Sequence, residues 1–436
     1  MIDARPVEGS FRKLRWGANL VLIAVLFAIP WIRFGGEPLV LLDIPSRQFH
    51  VFGLVIFPQE LFFLWLILAG AALALFFFTA LFGRVWCGWA CPQTVFTDVF
   101  AGIARRIQGW KGRSRPTKVA TWRLVATHAV WLLASFVIGF HLVGYFHSPY
   151  DLIAEAAKGH VYPTALSFHL VAAGLAYVDF VFLKQTFCKY LCPYARFQGV
   201  LFDRDTLVIG YDEGRGEPRG KAGTTEGDCV DCGLCVAVCP TDIDIRKGLQ
   251  LECIACTQCI DACNGVMEQL DRAENLIGYR SLASLHGDRD VRILRPRVLA
   301  YGVLLLAVAT SFGLLLGRRS PMDLFVERNR DSLYSRMDDG RVGNSFILHI
   351  QNRDLVDHSF RIRVDDPGFD LVAGINPIPV HAASSIETRV FVLADANDGL
   401  EANTPLRFVL EREDGSERSV VRATNFLAPG DHLGGS

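Results

Sequence analysis

The chain has 436 residues, of which 51% are hydrophobic and only 20% charged. A composition this apolar excludes an ordinary soluble enzyme, and a formal net charge of −1 excludes bulk attraction to nucleic acid. The 12 cysteines fall into four tight groups between Cys87 and Cys263, whereas disulfide staples would be spread across a domain, so the grouping points to reduced thiolates that bind metal.

Taken in chain order, five apolar stretches approach the roughly 20 residues that a helix needs to cross a hydrocarbon core. They are residues 16–34, 60–82, 122–146, 164–183 and 297–317. The first follows Arg12, Lys13 and Arg15 and has the look of a secretory signal. It ends in PWIRFGG without a small-residue cleavage site, so it reads as a retained helix kinked at Pro30. The fourth contains His169 and Asp179.

Lysine and arginine in the loops set the orientation. Arg5, Arg12, Lys13 and Arg15 precede the first span. Arg84, Arg105, Arg106, Lys111, Arg113, Arg115, Lys118 and Arg123 separate the second from the third, and Arg292, Arg295 and Arg297 lead into the fifth. The alternate loops carry only Arg33 and Arg47, and Lys158; the basic pair Arg318 and Arg319 is the exception. The N-terminus and the long segment between spans four and five are therefore expected in the cytoplasm. The C-terminal segment is expected on the outer side of the membrane.

The expected organisation is an all-α bundle of spans over 1–187 and 297–317, an inserted ferredoxin-like domain over 188–296, and a C-terminal β-domain over 318–436. The linker EGRGEPRGKAGTTEG contains a G-x-G, but no clear strand precedes it and no helix follows, so a nucleotide site is not expected there. In the C-terminal segment SFILHIQ, HSFRIRV, TRVFVLAD and LRFVLERE alternate apolar and polar residues between turn-rich clusters, the pattern of a small antiparallel β-sandwich. Its histidines, His349, His358, His381 and His432, are scattered and read as surface residues.

The most specific signal is a pair of C-x₂-C-x₂-C-x₃-C runs. One comprises Cys229, Cys232, Cys235 and Cys239, the other Cys253, Cys256, Cys259 and Cys263. This is the spacing of two-cluster bacterial ferredoxins, in which the fourth cysteine of each run serves the other cluster. Cys229, Cys232, Cys235 and Cys263 are thus expected to hold one [4Fe-4S] cluster, and Cys253, Cys256, Cys259 and Cys239 the second. Zinc sites use two C-x₂-C pairs rather than eight cysteines in this order. Asn264 stands where the ferredoxin pattern has proline after the last cysteine, which affects a turn and not a ligand.

Two further motifs are C-x₃-C-P: Cys87 with Cys91 after the second span, and Cys188 with Cys192 after the fourth. If each pair lies on a helix, positions i and i+4 share a face and both thiols can meet one ion or each other. Soft thiolates favour Cu(I). Structural thiols or a redox-active disulfide are the plainer readings. The repeated motif also makes spans 1–2 and 3–4 weak internal repeats that face each other. His128, His141, His147, His169 and Asp179 lie in or near the spans, where ionisable groups are functional candidates, including for haem or quinone, although hydrated histidines are common at span ends. Trp16, Trp31, Trp86, Trp89, Trp110 and Trp122 read as an interfacial belt.

With five spans, paired C-x₃-C-P motifs in WCGWACPQTVFTDVF and FCKYLCP, the dicluster run with TDIDIRKGLQLECI, and an external sandwich, nearly the whole chain resembles the CcoG family, also called FixG or RdxA. The resemblance implies a bacterial inner-membrane protein with a periplasmic, immunoglobulin-like C-terminal domain, and an accessory role in assembling cbb3-type cytochrome c oxidase. It further implies reduction of Cu(II) to Cu(I) at Cys87, Cys91, Cys188 and Cys192. The expected partners are a copper-exporting P-type ATPase, oxidase assembly factors, membrane lipid and a cytoplasmic electron donor. Two other readings stand beside it. One is an electron-transfer subunit like the quinol dehydrogenase proteins of periplasmic nitrate reduction (NapH-like), which are not expected to carry the C-terminal sandwich. The other is a scaffold whose clusters are structural.

Overall fold

The computed structural model describes residues 4–110, 116, 118–221, 226–285, 292–329, 332–395, 401–415 and 419–429. Lys111, Arg113, Arg115, His432 and residues 222–225 of the glycine-rich linker, all used above, lie outside the described residues. The chain divides into two compact units, residues 1–312 and 313–436.

Among the described residues five helices are long and apolar enough to cross a membrane: Ser10–Trp31, Pro58–Phe82, Thr121–Val143, Pro163–Leu183 and Pro296–Gly317. The first starts six residues before its apolar run, so Arg12 and Arg15 are helical and not loop charges. Arg15 is 1% exposed, and its guanidinium reaches the Asp98 carboxylate at 2.6 Å, with Arg12 on the same carboxylate at 3.1 Å. Asp261, far along the chain, accepts the first-turn N–H groups of Phe11 (3.2 Å) and Arg12 (2.7 Å) and so caps this helix. Pro30 does not kink the span. The α-helix closes at Ala28 and a tighter turn, Ile29–Trp31, ends it, because proline lacks the N–H that another α-turn needs.

The loop between spans one and two holds a three-stranded antiparallel meander, Val40–Asp43, Gln48–Val51 and Leu54–Ile56. The segment after span two, read above as a basic loop, contains the helix Pro92–Gln108, with proline at its start and Gly109 at φ 72 closing it. Phe96 and Phe100 on this helix are buried against Trp131, Phe180 and Val181 of spans three and four. Span two packs on span five through Phe63 and Phe312, whose rings stand edge-on at 5.7 Å.

Residues between spans four and five are closed by an antiparallel pair, Leu207–Tyr211 with Ile277–Ser281. A strand therefore does precede the G-x-G. A single helical turn, Glu213–Gly216, follows the strand and contains the G-x-G, and the Asp212 side chain accepts the Arg215 N–H (3.1 Å). Arg215 then pairs with Asp228 at 2.6 Å, so the turn serves to fasten this segment.

The second unit is a sandwich of two antiparallel sheets. One runs Phe369–Ala373, Ser385–Asp395, Arg341–Asn352, Met322–Arg328, with Ser335–Arg336 also on Arg341–Asn352. The other runs Ile378–Val380, His358–Val364, Asn403–Arg412, Ser419–Leu427. Alternate residues of both sheets meet in one core, where Phe346, Phe360, Phe408 and Phe426 are fully buried. Asn344 ties the sheets together: its amide donates to the Leu427 carbonyl (2.8 Å) and its oxygen accepts from Leu427 N–H (2.9 Å).

Candidate iron–sulfur and thiol sites

The two cysteine runs have the same backbone. In the first, Asp231 and Gly233 have φ of 51 and 67; in the second, the equivalent Ala255 and Thr257 have φ of 54 and 64. Left-handed residues two apart wrap each loop inward and turn successive N–H groups toward its concave side. Three of the four are not glycine, a conformation that costs on the order of 1 kcal/mol each and is held by the surroundings.

Two cavities open inside these loops. One is lined by Cys229, Cys232, Cys235 and Cys263, with Arg246 at its edge. The other is lined by Cys239, Cys253, Cys256 and Cys259, with Cys235 between the two. Both cavities thus gather thiols from both runs, the first within an apolar wall that includes Met267 and Ile277 and the second within one that includes Ile209 and Ile245. This arrangement fits a cubane cluster, which spaces its ligands around several irons. Among the described residues no three Cys, His, Asp or Glu converge on one point, neither at these loops nor at Cys87, Cys91, Cys188 and Cys192. Burial pushes the Cys253 and Cys263 thiols up to about 12 and Cys256 to about 11, with Arg15 acting in the opposite direction on Cys256. Thiols this weakly acidic become ligands only when a metal displaces the proton.

The C-x₃-C-P pairs do not lie on continuous α-helices. Cys87 sits in a short helix, Val85–Trp89, and Cys91 is extended (φ −64, ψ 125) at the start of Pro92–Gln108. Cys188 lies in a wide turn, Phe187–Leu191, closed by Cys192 N–H to the Phe187 carbonyl at 2.9 Å; Cys192 is extended (φ −71, ψ 112) before helix Pro193–Leu201. Proline disfavours the α conformation of the residue before it and is itself suited to a first helical position. The proline of each motif therefore breaks the helix between its two cysteines, and both motifs share one local build. Gln93, next to the first motif, donates to the Asp179 carboxylate (3.1 Å) and the Lys184 carbonyl (2.9 Å) at the end of span four.

All four thiols lie within electrostatic reach of one another, and burial followed by this mutual repulsion pushes Cys87 and Cys188 up to about 12. The Cys87 thiol donates to Gln198 Oε1 at 3.3 Å. Cys87 packs with Ile254 and Cys256 in one buried cluster flanked by Cys188 and Tyr194. Arg84, 5% exposed, stands among Cys87, Cys192 and Cys253; burial lowers its pKa, and the surrounding thiols and Glu252 oppose that. The thiol quartet and the second ferredoxin loop are thus neighbours, a contact that the sequence did not reveal.

The histidines are dispersed. His169 Nε2 is 2.9 Å from the Phe136 carbonyl and His128 Nδ1 2.7 Å from the Tyr177 hydroxyl, while the Trp31 indole donates to His141 Nε2 (3.1 Å). In the sandwich His358, His381 and His349 each face a different carboxylate, of Asp354, Asp357 and Glu327.

Comparison with known proteins follows this division. Residues 183–282 match a family profile described as a 4Fe-4S dicluster domain, residues 312–429 one described as the IG-like fold at the C-terminus of FixG, and residues 61–111 one described as a 4Fe-4S binding domain. Protein RdxA of Cereibacter sphaeroides is 35% identical, over 97% of this chain and 96% of its own length. The nitrogen fixation protein FixG of Rhizobium meliloti is 33% identical, over 98% and 93%. The chain belongs to the FixG family. It is a membrane iron–sulfur electron-transfer protein with an IG-like C-terminal domain. The ferredoxin-type protein NapH of Haemophilus influenzae is also similar, at 26% identity over 45% of this chain and 66% of that one.

Proposed function

We propose that this FixG-family protein is a cupric reductase, with Cu(II) as substrate and Cu(I) as product at Cys87, Cys91, Cys188 and Cys192. In this reading Cys229, Cys232, Cys235 and Cys263 hold one [4Fe-4S] cluster and Cys253, Cys256, Cys259 and Cys239 the other. When bound, the clusters supply one-electron reducing power, and each Cu(II) takes up one electron. The observation that carries the reading is the packing of Cys87 and Cys188 against Ile254 and Cys256, which puts the thiol quartet directly on the second cluster loop.

The chain's own residues give the quartet its character. Soft sulfur stabilises Cu(I) over Cu(II), so thiolate ligation favours the reduced product. Gln198 orients the Cys87 thiol, Gln93 ties the first motif to the end of span four, and Arg84 brings positive charge beside thiols that must ionise to bind metal. Loop charges support a cytoplasmic quartet and cluster domain and a periplasmic IG-like domain in a bacterial inner membrane. The product is then available to a copper-exporting ATPase and to assembly of a cbb3-type oxidase, and the IG-like domain is a surface for such partners.

The similarity to NapH favours a second reading, an electron-transfer subunit served by quinol. It covers less than half of this chain, whereas RdxA and FixG match nearly all of it, and that supports the first. The test is anaerobic: reduce the purified protein, add Cu(II), and follow cluster absorbance against chelated Cu(I). Cluster reoxidation matched by Cu(I) formation supports the reductase. Clusters inert to copper but reoxidised by a quinone overturn it in favour of the second reading.

A further inference from the structure

Residues 212–220, which carry the G-x-G, are stitched to one cluster cysteine. The Cys229 N–H donates to the Gly216 carbonyl (3.3 Å), and the Cys229 carbonyl accepts from the Gly220 N–H (3.1 Å). Beside it the Asp228 N–H donates to the Arg215 carbonyl (3.1 Å). Side chains close the same seam. Arg215 pairs with Asp228 at 2.6 Å, and Arg272 donates to the carbonyls of Gly227 (3.0 Å) and Asp228 (2.8 Å).

Tyr211 ends the strand that precedes this segment. It is buried and lines the first cluster cavity together with Cys229. Its hydroxyl donates to Glu217 Oε1 at 3.2 Å and is also within hydrogen-bond reach of the Cys229 sulfur. The segment is shaped around this hydroxyl. A Cβ on Gly216 would stand 2.1 Å from the hydroxyl oxygen, so only glycine lets the backbone pass there. The second glycine of the G-x-G thus has a use that involves no nucleotide.

We propose that the Tyr211 hydroxyl donates a hydrogen bond to the Cys229 sulfur and raises the midpoint potential of the first cluster, with the Glu217 carboxylate as the rival acceptor. The inference rests on Cys229 as a cluster ligand and is independent of copper. A ligand thiolate has lone pairs but no proton, so the phenol is the donor between the two. A hydrogen bond to a cluster sulfur favours the more negative, reduced state, and such bonds help to set cluster potentials. Burial strengthens it, because the surroundings screen it less than water would. Glu217 draws the same proton away from the sulfur. Its side chain is 41% exposed and also meets Arg219 at 3.7 Å, so water and that charge moderate its pull. Tyr211 acts through a ligand and touches no substrate, which makes it a positioning residue for electron transfer.

The experiment is a redox titration of the full-length, cluster-loaded protein in detergent, followed by electron paramagnetic resonance. Tyr211→Phe keeps the ring and removes the hydroxyl. One midpoint potential should fall, by about tenfold in the reduction equilibrium or about 59 mV for one electron, while the other stays. The cluster that moves should be the one that also moves in Arg246→Gln, since Arg246 lines the first cavity. Glu217→Gln should raise that potential, and by less when Tyr211 is already phenylalanine, because the two side chains share one proton. After exchange into heavy water, the reduced first cluster should lose a deuteron coupling in Tyr211→Phe, a signature that packing alone would leave in place. Unchanged potentials in a Tyr211→Phe protein that holds about eight irons, or equal shifts of both clusters, would overturn this inference and leave the ligand assignment standing. A parent protein with only about four irons would overturn both.

Discussion

Gly88 lies against the backbone of Ala255: a Cβ on Gly88 would stand 2.6 Å from the Ala255 carbonyl oxygen and 2.5 Å from that of Ile254. Only glycine lets the first C-x₃-C-P motif touch the second ferredoxin loop this closely. Gly88→Ala must push Cys87 away from Cys256. A displacement of about 1 Å at reacting groups costs up to roughly a hundredfold in rate. Cupric reduction should therefore fall by roughly ten- to a hundredfold while cluster absorbance is kept. Equal rates in variant and parent, measured by trapping Cu(I) with a chelator, would show that this contact has no part in the reaction.

Asp98 neutralises two arginines at the start of the first span, and Arg15 is the one with no access to water. Asp98→Ala leaves that guanidinium buried and uncompensated, an arrangement that costs roughly 3–5 kcal/mol. Arg12→Ala keeps the Arg15–Asp98 pair and leaves no buried charge without a partner, so its cost should be the smaller of the two. Thermal unfolding in detergent should show a large loss for the aspartate variant and a small one for Arg12→Ala. The reverse order would mean that Arg15 is not the residue Asp98 serves.

The local signals in the sequence account for some of this architecture and not for the rest. Apolar runs marked the five spans, and alternation marked the sandwich strands, because each pattern records directly which face is buried. The helix Pro92–Gln108 was also legible: Val95, Phe96, Phe100 and Ile103 recur at helical spacing between Pro92 and Gly109, and the charge count of that loop masked them. The break within each C-x₃-C-P motif could have been read from Pro92 and Pro193, since the residue before proline resists the α conformation. What no local signal carried is the long-range contact set, in which Asp261 caps a helix about 250 positions earlier and Gly88 meets Ala255. Tertiary packing decides those, and the chain shows them only as an unexplained glycine and an unexplained aspartate.

Arg246 is the charged side chain at the edge of the first cluster cavity, paired with Asp244 at 2.8 Å and also with Asp231. Removing a positive charge beside a cluster disfavours its reduced form. Arg246→Gln should lower the midpoint potential of that cluster by roughly tens of millivolts, as expected for one charge at short range in a partly screened site. The other cluster should shift less. The same hydrogen bond holds the Asp244 carboxyl below its ordinary range. A depressed folded-state pKa gives stability that is present above the unfolded value and is lost as pH falls through the folded one. The variant should accordingly lose its clusters at a higher pH than the parent on acid titration. Redox titration followed by electron paramagnetic resonance reads the first effect, and visible absorbance against pH the second.

The quartet Cys87, Cys91, Cys188 and Cys192 can be separated from the ferredoxin cysteines by replacing all four with serine. Serine keeps the size of the side chain but removes the soft sulfur that retains Cu(I). Cupric reduction should drop to the level of the buffer, with iron unchanged at about eight per chain, the content of two [4Fe-4S] clusters. Iron analysis matters here because the 4Fe-4S binding profile on residues 61–111 spans only Cys87 and Cys91 among the cysteines. A fall from about twelve irons to about eight on substitution would assign the quartet to a third cluster and remove copper from it. Constant iron with copper chemistry intact would leave the four thiols without a part in either role.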